Sequence, residues 1–450
     1  MLEIIRNAIK IKELRKKILM TVMLVVIFRV GCYIPVPGLS KNALESLSGS
    51  GLFAFMNVIT GGAMRQASLF AMGITPYINA SIIMQLLTVA IPALEKMQKE
   101  GEDGRKKIAK ITRYVTIALG LFQAIMLYFN LFRAKSVETV ISGAGSFDIF
   151  TFLIVLASFT AGTAFLMWLG EKITEIGVGN GISMIIFAGI VANAPRAFVS
   201  LYNIITAKTT DNASGGNPAN LPLYGRIIMV VVVLAVFLAV ITAVVWMESA
   251  ERKVPVQYAK RVVGRKMYGG QNTHIPLKVN SSGVLPIIFA MSLLQFPATI
   301  AGFINTSPNA GSASYFLQHM TSYWWYYLIY GILIVAFTFF YNIVYFDPVD
   351  IANNLKKNGG FVPGYRPGKP TADFIRGIST KITWFGAIFL AFLALFPSII
   401  QGISFLVNKD ISINLWFGGT SVLILVGVAL ETVRQIESQM LMRHYKGFLE

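Results

Sequence analysis

The sequence predicts an all-α polytopic membrane protein of ten spans, and three observations support that fold class. Only 13% of its 450 residues are charged and 55% are hydrophobic, whereas a soluble domain carries about 25% charged residues. Ten apolar windows approach the roughly 20 residues that a helix needs to cross the hydrocarbon core. The Lys and Arg residues between those windows fall overwhelmingly on one side of the membrane.

The first window, about 18–37, follows six Lys/Arg in residues 1–17. That start resembles a signal peptide. The apolar run continues, however, contains Arg29 and ends in "IPVPG" without a small-residue cleavage site, so it reads as a retained span. The other windows lie at about 70–92, 114–132, 149–169, 181–203, 225–247, 283–304, 323–345, 381–403 and 411–432. With these spans, one side of the membrane carries 30 Lys/Arg and the other 8, Arg29 being the remaining one of 39. The positive-inside rule then puts both termini in the cytoplasm.

The segment "KTTDNASGGNPANLP" (208–222) is polar and rich in Gly, Pro and Asn, which suits an external linker. It separates an N-terminal half (1–207) from a C-terminal half (223–432), with a cytoplasmic tail at 433–450. Each half has five spans, so the second inserts upside down relative to the first. Folds of that arithmetic often work where their halves meet. No clear sequence similarity links the halves, so the repeat is a topological expectation.

The spans also exclude functions. Apart from Arg29, no Asp, Glu, Lys or His lies well inside any of them. Ion-coupled pumps usually carry an ionisable residue at depth. No catalytic dyad is visible, the three histidines are widely separated, and the lone Cys32 reads as a small buried hydrophobe. The expectation is a protein that is not an enzyme and needs no cofactor or metal. "GVGNGIS" (177–183) follows a helix end rather than a strand, so it reads as a turn and not a nucleotide loop.

One stretch departs from the pattern. "GGAMRQASLFAMGITPYINASII" (61–83) interrupts an apolar chain with two glycines, an arginine and a proline. Residues 56–70 are too short and polar to cross, so they read equally as a re-entrant segment or an amphipathic surface helix. Polar residues recur in the neighbouring spans: Thr75, Asn79, Ser81 and Gln85 in the second, Ser292 and Gln295 in the seventh. Taken singly, each suits ordinary interhelical hydrogen bonding.

Six ordered motifs then become specific: "GITPYINASIIMQLL" (73–87), "GNGISMIIFAGIV" (179–191), "QYAKR" (257–261), "LPIIFAMSLLQFPATI" (285–300), "FVPGYRPGKPT" (361–371) and "FGGTS" (417–421). End to end, they closely resemble the SecY/Sec61-alpha family, pore subunits of protein-translocation channels. The resemblance implies a clamshell channel that passes unfolded polypeptides across the bacterial cytoplasmic membrane and releases apolar segments sideways into lipid. It makes 56–70 the plug, including Gly61, Gly62, Ala63, Met64, Arg65 and Gln66. It carries the pore ring onto Ile78, Ile82, Ile182, Ile186, Ile288 and Ile424, all isoleucine here. A narrow apolar constriction of that kind dewets and blocks ions while idle. Spans two and seven become the lateral gate, with Thr75, Asn79, Gln85, Ser292 and Gln295.

The loop 249–282 carries Arg252, Lys253, Lys260, Arg261, Arg265 and Lys266. By itself this is a topogenic, solvated cluster; its size and interleaved aromatics also suit ribosomal RNA phosphates. The resemblance assigns it to docking of the ribosome and the SecA motor, and matches Arg366 to the family's critical arginine. That arginine sits in loop 347–380, whose "GGFVPGYRPGKPT" predicts a stiff, non-helical tip. Pinning of the loop by hydrogen bonds is an alternative role for Arg366. Implied partners are SecE and SecG, SecA, the ribosome, signal peptides and nascent chains, and anionic lipids. The competing function is an inverted-repeat transporter of a small neutral solute. The mixed-charge loop 93–113 has no assigned task, and Arg29 has two open readings, backbone carbonyls near the plug or snorkelling to the outer face.

Overall fold

The computed structural model describes residues 2–39, 57–133, 148–206, 223–258, 261–263, 266–268, 272–304, 316, 320, 323–407 and 419–446. Helix α1 (Leu2–Lys10) leads into α2 (Lys12–Gly31), which buries Leu14, Thr21, Leu24, Phe28 and Gly31 at three- and four-residue spacing along one face. After a turn-rich segment come α3 (Thr75–Ala90) and α4 (Pro92–Lys99), bent by 100° at Ile91. Pro92 explains the bend: it has no N–H for the α-helical ladder and pushes the preceding residue into extended geometry. Then follow α5 (Glu102–Arg133), α6 (Ile149–Ile176), α7 (Gly181–Ala192), α8 (Ala194–Thr206) and α9 (Leu223–Ser249). Asp148 caps α6, accepting from the Phe150 N–H at 3.1 Å and the Thr151 hydroxyl at 2.8 Å. Those bonds, the Thr151 hydroxyl above all, hold its carboxyl below the usual range.

Beyond α9 the chain makes strands, which the sequence did not announce. The loop 249–282 is a β-ribbon: β1 (Glu251–Tyr258) pairs antiparallel with β4 (Asn272–Lys278), in register from Glu251 with Lys278 to Gln257 with Asn272. Two short strands, β2 (Arg261–Val263) and β3 (Lys266–Tyr268), pair between them. Alternation selects this fold: Val254 and Val256 point to one buried face with Leu277, while the charged neighbours stay out. The chain continues through α10 (Leu285–Ile304), α11 (Trp324–Tyr345) and α12 (Pro348–Lys357). Strand β5 (Gly360–Phe361) then adds antiparallel to β1, giving the order β4-β1-β5. Helices α13 (Lys369–Val407) and α14 (Gly419–Lys446) complete the fold.

Each of the ten expected windows contains helix, although not every window is helical throughout. Among the described residues, seven helices are long and apolar enough to span, or eight if the α3–α4 pair is one broken span. The other two windows hold α2, whose N-terminal turns are crowded with Lys and Arg, and α10, which qualifies as a shorter apolar helix over Leu285–Leu294. The first window ends its helix at Gly31 rather than near 37, and the second begins at Thr75 rather than 70. The cause lies between them, in the segment that bears on function. The chain divides into two compact units: residues 1–213, 292–321 and 424–450 form one, and residues 214–291 and 322–423 the other.

Candidate plug, pore and docking surfaces

In the first unit, residues 57–59 make one helical turn that stops abruptly. The Gly61 N–H donates to the Val58 carbonyl at 3.2 Å and the Gly62 N–H to the Asn57 carbonyl at 2.9 Å. With Gly61 at φ +67°, this is a Schellman stop, which needs a residue that tolerates left-handed backbone. Side chains from elsewhere bind the same turn. The Arg29 guanidinium donates from Nη1 to Thr60 O at 3.4 Å and Gly61 O at 3.5 Å, and from Nη2 to Gly61 O at 3.5 Å. Asn193, at the α7–α8 break, donates from Nδ2 to Val58 O at 3.1 Å. Asn57 Oδ1 accepts from the Arg65 N–H at 3.3 Å, and the Cys32 thiol lies 3.6 Å from Thr60 O. Arg29 therefore meets backbone carbonyls, the first of its two readings. Gly189 of α7 completes the seat, because a Cβ there would overlap the Ile59 carbonyl oxygen.

Residues 61–74 are turns, not helix, so the plug window 56–70 is helical only at 57–59 among its described residues. Positive φ at Gly61, Gly62, Ala67 and Gly73 repeatedly breaks the helical path. Turn bonds such as Ser68 N–H to Ala63 O and Ala71 N–H to Ser68 O replace the helical ladder, and other backbone partners lie outside the segment. Leu69 N–H donates to Ile34 O at 2.9 Å and Val36 N–H to Ala67 O at 3.0 Å, framing a bridge between Pro35 and Ser68. The Ser68 hydroxyl donates to Ala63 O at 2.9 Å. Met64, Ala67, Ala71 and Met72 pack with Tyr128 and Phe159 in one buried cluster, while Arg65 and Gln66 are half-buried. Phe70 stacks between Phe28 and Phe165. Irregular backbone at membrane depth survives only when protein satisfies and encloses it. Residues 61–74 are mostly buried and non-helical, so they do not form an amphipathic surface helix.

Ile78 and Ile82 stand one turn apart on α3, and Ile182 and Ile186 one turn apart on α7. Ile78, Ile186 and Ile424 are buried, while Ile82 and Ile182 are half-buried. Ile182 Cγ1 lies close to Gly170 of α6. These five belong to the first unit; Ile288, also buried, belongs to the second. Of the gate residues, Thr75 is buried and Asn79, Gln85 and Ser292 are half-buried; the Gln295 side chain lies outside the described residues. Thr75 Oγ1 and Asn79 Oδ1 are buried without a hydrogen-bond partner among the described residues. Among the described residues, these two atoms do not make the ordinary interhelical bonding expected of them.

On the second unit, Arg252 and Lys253 are exposed on β1, with Lys253 Nζ 3.7 Å from Glu251 Oε1. Arg261 and Lys266 lie on β2 and β3, flanking the tip, while Lys260 and Arg265 fall outside the described residues. The 360–368 tip is non-helical, as its glycines and prolines predict, and helix resumes at Lys369. Arg366 is exposed; its carbonyl, not its guanidinium, is pinned, accepting from the Thr371 hydroxyl at 2.7 Å. Tyr365 stacks on Phe374 at 4.1 Å, anchoring the tip beside it. Val254, Val256, Leu277, Leu355, Val362 and Ile375 form the core beneath.

Asn57, Asn193 and Gly189 were missed at the sequence level. Each is one polar or small residue in an ordinary apolar context, and only the folded chain shows what it touches. No His/Cys/Asp/Glu group able to hold a metal occurs among the described residues.

Comparison with known proteins bears on the whole chain. The family model described as SecY matches residues 68–433. The protein translocase subunit SecY of Thermotoga maritima is 44% identical over 455 residues, covering 99% of this chain and 97% of that one. Two solved structures share the fold. A protein-conducting channel aligns with TM-score 0.61 at 18% identity over 95% of this chain and 92% of its own. Sec61 in the canine ribosome-channel complex aligns with TM-score 0.56 at 17% identity, again over 95% and 92%. With a near full-length relative at that identity and a family model spanning most of its residues, the chain belongs to the SecY family.

Proposed function

We propose that the chain is the pore of a protein translocase, carrying unfolded polypeptides across the cytoplasmic membrane and releasing apolar segments laterally into it. The observation that carries this reading is the buried, non-spanning segment 57–74 inside an apolar bundle, in a chain that matches translocase subunits over its full length. A solute carrier needs convergent polar groups around a site; a resting protein channel needs a seal. Residues 56–70 are the plug, and Ile78, Ile82, Ile182, Ile186, Ile288 and Ile424 are the dewetted ring. All six are apolar and the four most enclosed are buried, which supports the assignment.

The gate lies between the second and seventh spans. Thr75 Oγ1 and Asn79 Oδ1, buried without partners among the described residues, are polar atoms that a passing signal peptide or nascent chain can satisfy. Orientation follows the 30-to-8 basic bias, with both termini in the cytoplasm. The β1–β4 ribbon and the 360–368 tip then face the cytoplasm and dock the ribosome and SecA. SecE and SecG flank the channel in the bilayer, and anionic lipids neutralise its basic side. Reconstitution tests the function. The purified chain, joined by SecE and SecG in vesicles, should protect a secretory precursor from protease only when SecA and ATP are added. Protection independent of SecA and ATP, or none with an active motor, would refute it.

A further inference from the structure

We infer that Arg29 and Asn193 are positioning residues of the plug, a two-point latch that holds its closed end by backbone carbonyls. The inference rests on reading this segment as the plug. The two side chains come from different elements, α2 and the α7–α8 break, yet converge on one Schellman turn. Asn193 takes Val58 O, and Arg29 takes Thr60 O and Gly61 O. These carbonyls lie where the helical turn ends; Val58 O also accepts from the Gly61 N–H, and Thr60 O and Gly61 O lie beyond the turn. The ring of Tyr33 lies 5.8 Å from the Arg29 guanidinium carbon and that of Phe28 5.9 Å, which confines the cation beside the turn.

The neighbouring turns are held differently. Residues 63–74 are fixed by main-chain bonds to Ile34 and Val36 and by the buried Met64–Met72 cluster. The segment therefore has two parts, an anchor at 63–74 and a latched turn at 57–62, joined at Gly61 and Gly62. Both glycines have positive φ and lack a side chain, so the joint between the two parts turns at little steric cost. Opening breaks the latch and leaves the anchor seated. The strength of the latch then sets how well a signal must bind before the channel opens, which makes Arg29 and Asn193 specificity-determining residues.

Single-channel recording of the purified channel in planar bilayers tests this, using Arg29→Gln, Asn193→Ala and a channel lacking residues 59–68. Asn193→Ala removes one hydrogen bond to the turn and should raise the conducting fraction about tenfold, and Arg29→Gln, which removes the longer contacts to two carbonyls, should raise it at least as much. Neither should add to the leak of the deleted channel, because without the turn there is nothing to latch. Arg29→Lys, which keeps the charge but gathers its donors on one nitrogen, should leak less than Arg29→Gln. If the deletion leaks and both substitutions stay silent, the latch is refuted and the plug stands. If the deletion is silent as well, the plug reading itself fails. If Arg29→Gln raises the leak equally in the deleted channel, the arginine supports the bundle and the latch is again refuted. Should Arg29→Gln fail to fold, Asn193→Ala and Arg29→Lys decide by the same criteria.

Discussion

Gly189→Ala adds a single methyl group where α7 meets the plug turn. Its Cβ would overlap the Ile59 carbonyl oxygen, stand 2.7 Å from the Ile59 carbonyl carbon and 3.3 Å from the Gly61 nitrogen. Carbon atoms rest comfortably at about 3.5–4.0 Å and the overlapped oxygen lies closer still, so well over ~1 Å of relative movement is required. Insertion into a packed site costs about 1–3 kcal/mol. A helix interior is at the same time stabilised by about 1 kcal/mol when Gly becomes Ala. The helix therefore holds and the turn yields. Loss of about 1–3 kcal/mol from the closed position alone corresponds to a rise of about 5- to 150-fold in conducting fraction. Planar-bilayer recording measures that rise, and thermal unfolding in detergent checks that the bundle is intact. Gly331→Ala serves as the control, since its Cβ meets only Leu395 Cδ1, at 3.3 Å. A Gly189→Ala channel as silent as the control, with normal unfolding, would refute the close seating of the turn on α7.

Other outcomes follow from the same assignments. Cysteines at Ser214 and Gly269 should label from opposite faces of the membrane; labelling of both from outside would overturn the ten-span topology. Arg366→Glu should impair SecA-driven export far more than ribosome-bound insertion, and equal loss at normal protein levels would mean that it supports the fold or both partners. Reversing Lys260 and Arg261 together should weaken ribosome binding most at low salt, where phosphate contacts are strongest. Salt-independent binding would count against phosphate contact. Replacing Ile82 and Ile288 with asparagine should wet the constriction, and adding the 59–68 deletion should leak more than either change alone. Silence from that combined channel, if it folds, would remove both seals from the mechanism.

Much of this architecture was legible because its signals are long and redundant. A span needs a sustained apolar run, so no single position decides it. The non-helical tip at 360–368 was legible for a related reason, its repeated Gly and Pro. The β-ribbon was not. Its alternation in "KVPVQY" is short, includes a proline and is obscured by the charges that made the loop conspicuous. The turns of 61–74 were half legible. Gly61, Gly62 and Gly73 advertise bends, but Ala67 at φ +47° does not, and the bonds to Ile34 and Val36 join residues about thirty positions apart. Arg29 announced that it needed a partner, because its cost in hydrocarbon is high. Asn193 announced nothing.

The two proposed seals differ in what they demand of the sequence. A dewetted ring needs only apolar volume at six positions and forms no directional bond, so it can deform around any passing chain and close again. It cannot discriminate among chains, since every apolar segment meets the same surface. The latched turn is the opposite: it depends on donors aimed at Val58, Thr60 and Gly61 carbonyls and on a missing side chain at Gly189. Such contacts are lost within a small displacement, because hydrogen bonds fall off steeply with distance and angle. A seal of that kind has a threshold. If the proposed seals work in this way, discrimination among signals belongs to the turn and the gate, and passage itself to the ring. On this division, ring substitutions act on how much leaks through an open channel, and latch substitutions on how often it opens.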